Sequence, residues 1–593
     1  MSLQDTTLGE AMPGGFLLVL SLVAPVAGVL LAFAVGGRRV EGIALSIMPT
    51  GLAIAAGIAV AKSQTDGPIV YLLGGWAPPL GVALRADGPA VVMILITAVV
   101  ICAIGVFARA DFRTPAGFAE ARAPFAFWIL LLAIWGALNM VFMGGDLFTL
   151  YVAIELLTFS AIPLVSLDGR SEALQAALRY LLFALLGSIL YLTGTVLLYG
   201  SYGTLDIVLL AGRVHAELPT LVAAALMTVG LLAKTALFPL HLWLPPAHSS
   251  APAAASAVLS GLVVKGSFFL VVRLWFDVMP GLTGYASVQV LGAMGAAAIL
   301  FGSVVALRQD RLKLLVAYST VAQIGYLFLM FPLAFSPAAA TLQGGGALTG
   351  GILQAISHAA AKASMFMAAG LIYAALGHDR IGGLAGLGRA LPMSVLTFTL
   401  AGVALIGVPP SGASLAKNLF LQAAAETGQW WWAFVVQAGG VLTSSYLVLV
   451  LAHALAPAEA PREPKAHVPR MAEAAALVLA LCSLLLGLFP WEASSVRHGT
   501  SAGTSALGSL ASAVWPILAG GVLAMLLGRW RTGSPHARHL KVIIAWAGPV
   551  RHAAFALGGM LERVDYMARQ WTVAGLSLLV LAILLETAML AGR

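Results

Sequence analysis

Long apolar runs alternate with short polar stretches from one end of the chain to the other. A helix that crosses a bilayer needs about 20 mainly apolar residues. Sixteen segments meet that need: 15–36, 42–61, 88–108, 125–143, 147–167, 180–200, 217–248, 251–276, 285–306, 314–333, 346–376, 391–426, 430–454, 471–490, 503–528 and 571–591. The runs are continuous and rich in Gly and Ala, without the ten-residue alternation of a membrane strand. The pattern therefore predicts an all-α polytopic membrane protein of about sixteen transmembrane helices.

Two of these runs are interrupted. The seventh contains Pro239, Pro245 and Pro246, and the twelfth contains Gly407, Pro409, Pro410 and Gly412. Proline inside a helix deletes a backbone hydrogen bond and clashes with the preceding turn. The breaks are five helices apart, an odd number, so the second runs the opposite way through the membrane. Interrupted helices at matching positions of two halves point to inverted repeats and to transport near the midplane. The expected organisation is three N-terminal helices in 1–124, a first five-helix repeat in 125–276, a second, inverted one in 285–454, and C-terminal helices with a connector in 471–593.

Composition supports this reading. Of 593 residues, 60% are hydrophobic and 9% charged, against roughly 25% charged in soluble domains; mean hydropathy is +0.97. A soluble enzyme, a disordered scaffold and a nucleic-acid binder are excluded. The net charge of +8 is scattered over loops. Cys102 and Cys482 lie in apolar runs and build no disulfide framework, zinc site or iron–sulfur ligand set. Residues 1–14 carry Asp5 and Glu10 but no Lys or Arg, unlike a secretory signal, so Phe16 to Val35 reads as the first membrane helix. With the N-terminus outside, 22 Lys and Arg fall on the cytoplasmic side and 5 on the outer side, the expected bias for a multi-pass protein of the inner (plasma) membrane.

The remaining five basic residues, Lys234, Lys265, Arg273, Lys362 and Lys417, lie inside apolar runs. A charge at the bilayer centre costs at least about 2.5–3.5 kcal/mol on insertion scales. A buried lysine also loads and releases a proton readily. Glu155, in the middle of the fifth run, is the natural partner of a lysine; the plain alternative is a structural staple between helices. His358 and Lys362, four apart, share a helix face. Arg273 falls near a helix end and reads as a snorkelling anchor. His241 and His248 sit beside prolines, with too few further ligands for a metal. Between helices 15 and 16, Gly528 to Gln570 mixes Leu540, Val542, Ile543, Ile544 and Trp546 with Arg538, Lys541, Arg551 and Arg563, as an interfacial amphipathic helix would.

The stretch from Leu232 through Lys234, Pro239, His241, Trp243, Pro245 and His248 to Pro252 resembles the seventh-helix signature of antiporter-like subunits. These occur in respiratory complex I, Mrp-type cation/proton antiporters and group 4 membrane-bound hydrogenases. Ser256 to Gly266, Asp310 to Ser319, Gln323 to Tyr326, and Gly407 to Pro410 with Lys417 continue the resemblance over residues 70 to 450. Gly74-Gly75-Trp76, Pro79 and Asp87 look more like the D-type Mrp subunit and the hydrogenase branch. The chain departs at Arg179, where many relatives have Lys, and in helices 15 and 16, which a typical D-type Mrp subunit lacks.

The resemblance implies a proton relay through Lys234, Lys265, His358, Lys362 and Lys417, with Glu155 modulating Lys234. It implies a subunit without redox cofactor or metal, within an oxidoreductase, hydrogenase or antiporter complex. Its partners would be other membrane subunits and the lipid bilayer, with protons, and Na⁺ or K⁺ in the exchange reading, as cargo; a non-pumping platform is the remaining alternative. The sequence agrees, with no phosphate-binding loop or dinucleotide signature: Gly344 to Gly351 has the wrong spacing and no following Lys.

Overall fold

The computed structural model describes residues 14–115, 117–118, 120–458, 465–466, 468–489, 506–527 and 548–591, without side chains at 506–513, 527, 548–551 and 553–555. Residues 1–13 and the 528–547 part of the expected amphipathic connector, including Leu540 to Trp546, lie outside the described residues.

Among the described residues, fourteen helices are long and apolar enough to cross a membrane, from Gly15–Val35 to Trp571–Ala591. Two further apolar helices, Pro392–Ile406 and Val514–Leu526, are shorter. Burial sorts them. Ala253–Val278 is buried along its whole most apolar stretch and Leu312–Ala334 over 94% of it, whereas Gly15–Val35 and Arg39–Ser63 reach 28%. The first two therefore form the core, flanked by Gly346–Leu376, and the last two lie at its edge.

Helices in a bilayer gain little from hydrophobicity and rely on close packing of small residues. Gly187 and Gly230 show this. A Cβ on Gly187 would stand 2.7 Å from the Gly230 carbonyl oxygen, and one on Gly230 2.3 Å from that of Gly187. Ser171–Tyr202 and Leu218–Thr235 thus touch backbone to backbone, which brings Lys234 against its neighbours. Gly295 and Gly325 do the same for Tyr285–Leu307 and Leu312–Phe328.

Both interruptions are present, with altered bounds. The run expected at 217–248 ends as a helix at Thr235; a non-helical stretch follows, then a short helix, Leu244–Ser250. Pro239 lies in the gap. Pro245 does not: it occupies the first turn of Leu244–Ser250, where a missing N–H costs nothing. The run expected at 391–426 is two 15-residue helices, Pro392–Ile406 and Gly412–Glu426, with Pro409 and Pro410 between them.

The two upstream halves end with one backbone motif. Ala236 (φ 60°, ψ 38°) and Gly407 (φ 88°, ψ 42°) are left-handed. Leu237 N–H then donates to Leu232 C=O at 3.2 Å, and Val408 N–H to Val403 C=O at 3.4 Å. These reversed turns satisfy carbonyls that the broken helix would orphan.

Near the C-terminus, Gly548–Ala568 is helical and lies against the bundle. Arg308 holds Glu562 through two hydrogen bonds, 2.6 and 3.0 Å. Two short hairpins, Ile69–Leu72 with Ala83–Ala86 and Phe335–Ser336 with Thr341–Leu342, join helix ends at one side of the bundle.

Candidate functional site: a polar file through the bundle

Lys234 is the last lysine before the first break and is nearly buried. Its Nζ is 3.0 Å from Glu155 Oε1 and donates to Thr158 Oγ1 at 2.9 Å. Glu155 and Thr158 are three apart on Leu147–Val165, so they present one face. Ser188, beside Gly187 on the third helix of the cluster, also donates to Glu155 Oε1. The expected Glu155–Lys234 pairing is therefore present as a contact, joined by two hydroxyls that the sequence reading did not single out.

Lys265 is fully buried. It follows a π-turn, Leu259–Val263, and its Nζ donates to the Ser260 carbonyl within that turn. Such turns add a residue to the helix and free a carbonyl, and they recur at functional sites. Ser260 Oγ is 2.9 Å from Thr320 Oγ1 on the adjacent core helix. Thr235, next to Lys234, donates to Ser267 at 3.0 Å. These contacts place hydroxyls between the Lys234 and Lys265 helices, and between the Lys265 helix and Leu312–Phe328.

His358 and Lys362 lie on Gly346–Leu376, and both are fully buried. Lys362 donates to the Ser319 hydroxyl and, at 3.2 Å, to the Val316 carbonyl. His358 is within electrostatic reach of Lys265 and Lys362, and neither ring nitrogen has a hydrogen-bond partner among the described residues. His248, beyond the first break, is similar: it stacks on Phe366 at 4.8 Å and faces Lys362, Lys265 and Lys313 electrostatically.

Lys417 stands apart from these. It is on the downstream half of the second break, donates to the Ile406 carbonyl, and lies 5.4 Å from the centre of the Tyr326 ring. Between Lys362 and Lys417 run Ser319, Gln323 and Tyr326, on one face of one helix at a spacing of four and three. Gln354 donates to Gln323 at 2.9 Å, and Gln323 faces Thr443 at 3.4 Å. Among the described residues, no carboxylate acts on Lys265, Lys362 or Lys417. The four lysines thus share a polar file with one acid at its first member.

Two groups hold carboxylate partners that the sequence reading did not name. Arg273 does not snorkel. It grips Asp87 through two hydrogen bonds of 2.5 and 2.7 Å and Asp277 through one of 2.7 Å. His241, in its break, is fully buried, with Nε2 3.0 Å from Asp565 Oδ1. Asp565 also accepts from Tyr318 at 2.7 Å and is gripped by Arg569. Asp565 escaped the sequence reading because it is 324 residues from His241. The available signal was the row Glu562, Asp565 and Arg569, spaced three and four along an amphipathic helix.

Comparison with known proteins agrees with this architecture. Residues 144–443 match the family described as NADH:quinone oxidoreductase/Mrp antiporter, transmembrane. The NADH-quinone oxidoreductase N subunit of Desulforudis audaxviator (strain MP104C) is 33% identical over 466 residues, 75% of this chain and 90% of that protein. A Na(+)/H(+) antiporter subunit of Alkalihalophilus pseudofirmus is 28% identical over 395 residues, 66% of this chain and 76% of its own. Among solved structures, a chain of the membrane-bound sulfane sulfur reductase, an archaeal respiratory membrane complex, superposes with a TM-score of 0.71 at 26% identity, covering 86% of this chain and 99% of its own. A chain of the Mrp complex from Dietzia sp. DQ12-45-1b has the same TM-score at 23% identity, covering 90% of this chain and 99% of its own, and shares the fold.

Proposed function

Because the chain belongs to the NADH:quinone oxidoreductase/Mrp antiporter transmembrane family, we propose that it is an antiporter-like subunit of a multisubunit membrane complex and moves protons along its buried lysines. The relatives are named as subunits of such complexes. The observation that carries the reading is the file itself: four lysines at membrane depth, linked by hydroxyls and amides, with one carboxylate at its first member. A platform that only docked other subunits would have no reason to bear the desolvation cost of four lysines.

In this reading, a proton taken up from the cytoplasm reaches Lys234, passes Lys265 and the His358–Lys362 pair, and leaves by Lys417. Glu155 sets how tightly Lys234 holds its proton. An ion pair stabilises the charged lysine, so separating Glu155 from Lys234 would release the proton inward along the file. The sixteen-helix count, two inverted repeats of five, an N-terminus outside and a location in the inner membrane complete the proposal. The charge bias and the two matching breaks support them.

The test is proton movement in vesicles that hold the assembled complex, followed with a pH-sensitive dye. Lys234→Ala and Lys417→Ala should each cut driven transport at least about tenfold, equivalent to about 1.4 kcal/mol or more, while assembly persists on a native gel. Normal transport in both would sink the relay. A second reading, exchange of Na⁺ or K⁺ for protons, is favoured by the relatives named as Na(+)/H(+) antiporter subunits. It predicts that an imposed Na⁺ or K⁺ gradient alone drives the dye response, and that withdrawing both ions abolishes it.

A further inference from the structure

The bundle has a cavity of about 330 Å3 at the ends of its core helices, on the side poor in Lys and Arg. Asp87, Phe269, Arg273, Asp277, Leu348 and Ile352 are among its lining residues. Arg273 spans the wall with its three hydrogen bonds to Asp87 and Asp277. Asp87 is held in turn, because it caps the Gly88–Ala108 helix and accepts from Ala90 N–H at 3.0 Å. Fully buried Phe269 lies one turn deeper on the Arg273 helix. The Arg273 guanidinium sits over its ring at 4.8 Å, and Phe142 meets it edge to face at 5.1 Å.

Titratable groups lie beyond these apolar residues. Lys265 is four residues further along from Phe269, about 6 Å of helix rise. His358 is six residues further along from Ile352, about 9 Å. It is fully buried, with both ring nitrogens unpartnered among the described residues, and lies within reach of Lys265. The cavity therefore ends on a phenyl ring and an isoleucine, with two proton-carrying side chains behind them. Arg273 ties that ring to the two carboxylates at the mouth.

We propose that this cavity is an outward half-channel to the Lys265–His358 centre, with Phe269 as its plug and the Arg273–Asp87–Asp277 cluster as the latch that holds the plug in place. When the latch opens, the ring loses its cationic partner and turns aside. Water in the cavity then takes the proton from the Lys265 ammonium, leaving neutral Lys265 and a hydronium ion drawn outward by Asp87 and Asp277. This gives the centre of the file its own outward opening, separate from the one at Lys417. The inference rests on the proton-transport reading above for its cargo, but not for its geometry.

The test uses vesicles holding the whole complex, with Cys102 and Cys482 replaced by Ser. Leu348→Cys, at the mouth, should react with a membrane-impermeant thiol reagent from the outer side and not from the cytoplasmic side. Ile352→Cys, at the floor, should react slowly, and about tenfold faster when Asp277→Asn loosens the latch. Phe269→Ala should raise passive proton leak about tenfold, measured with no driving reaction. If Phe269→Ala does not assemble, Phe269→Leu replaces it. An unreactive Leu348→Cys, labelling of it from the cytoplasmic side, or a latch-independent Ile352→Cys overturns the half-channel; so does a leak-tight plug variant. Labelling and leak need no working pump. A complex that labels and leaks as expected yet drives no protons would overturn the transport reading instead.

Discussion

The two broken helices share a backbone and differ in how they hold their lysines. Each upstream half closes on a left-handed residue and an N–H that reaches back five residues. Lys234 precedes its break and meets a carboxylate, Glu155, while Lys417 follows its break and meets a main-chain carbonyl and an aromatic face. A lysine against a carboxylate can be switched by moving that partner. A lysine against a carbonyl dipole has a fixed environment and changes only when a proton arrives. In the proposed relay, the first break would therefore serve control, and the second passage.

Their supports differ as well. Trp243 pins the first gap: its indole N–H donates to Ala233 C=O at 3.0 Å, and its ring stacks on Tyr180 at 4.0 Å. The Gly548–Ala568 helix adds Asp565 to His241 in the same gap. The second gap is held by Gly487, whose N–H donates to Pro410 C=O at 2.9 Å. Ser411 caps the downstream half by accepting from Ser414 N–H at 3.1 Å. Each break is thus closed by a segment that follows it far along the chain.

The sharpest test of the contrast removes the carboxylate. Glu155→Gln leaves a buried lysine unpaired, a loss of about 3–5 kcal/mol for such pairs. Lys234 should then give up its proton, and driven transport should fall more than about tenfold. Removing both partners, Glu155→Gln with Lys234→Ala, should cost less stability than the two single changes added together. Additive costs would mean that the 3.0 Å contact carries no coupling. Among the described residues, no carboxylate acts on Lys417 at the second break. Tyr326→Phe keeps the ring under Lys417, and should change the complex's stability by less than about 1 kcal/mol.

Next in size is Gly407→Ala. The new Cβ would stand 2.8 Å from Lys417 Cδ, at a φ of +88°. The left-handed conformation alone costs roughly 1–2 kcal/mol for an L-residue. The displaced lysine would also lose its Ile406 carbonyl. Thermal unfolding of the purified complex should show the stability loss, and vesicles a matching fall in transport. Wild-type behaviour in both would mean that Lys417 does not depend on passing over Gly407.

Asp565→Asn should act on the first break alone, at about 1–3 kcal/mol. The amide can still meet His241, but Tyr318 and Arg569 lose a charged acceptor. Limited proteolysis should cut the C-terminal arm faster, while Lys417-dependent behaviour stays unchanged. Equal protease sensitivity in variant and parent would sink the idea that Asp565 fastens this arm.

Much of this was legible in the sequence, because length and hydropathy are local. The apolar runs, the two interruptions and Glu155 as a partner for some buried lysine follow from residue type and spacing, whereas the choice of Lys234 followed only from the family resemblance. What stayed hidden depends on long-range approach. Nothing local tells that Arg273 meets Asp87, 186 residues away, or that Asp565 enters the first gap. The hydroxyls are a different case. Ser319, Gln323 and Tyr326 carry a readable helical period, but small polar residues are common in membrane helices. Only the proximity of Lys362 and Lys417 gives them meaning. Pro245 misled because proline at a helix start and proline in a helix interior look alike without the boundary.

The smallest effect is also the cleanest comparison. Ala236 holds in the first break the conformation that Gly407 holds in the second, yet it has a side chain. Its left-handed cost is the same roughly 1–2 kcal/mol that Gly407→Ala would introduce. Ala236→Gly removes that strain but restores freedom to the unfolded chain, which costs about 0.4–1 kcal/mol. The two partly cancel, so stability should rise by about 0 to 1.6 kcal/mol, with transport unchanged. The asymmetry with Gly407→Ala then isolates one cause. Backbone strain is common to both positions, whereas a lysine stem lying against the left-handed residue belongs only to the second. If Ala236→Gly lowered transport as much as Gly407→Ala does, the shared turn would matter more than the lysine that crosses it, and the division between control and passage would have to be redrawn.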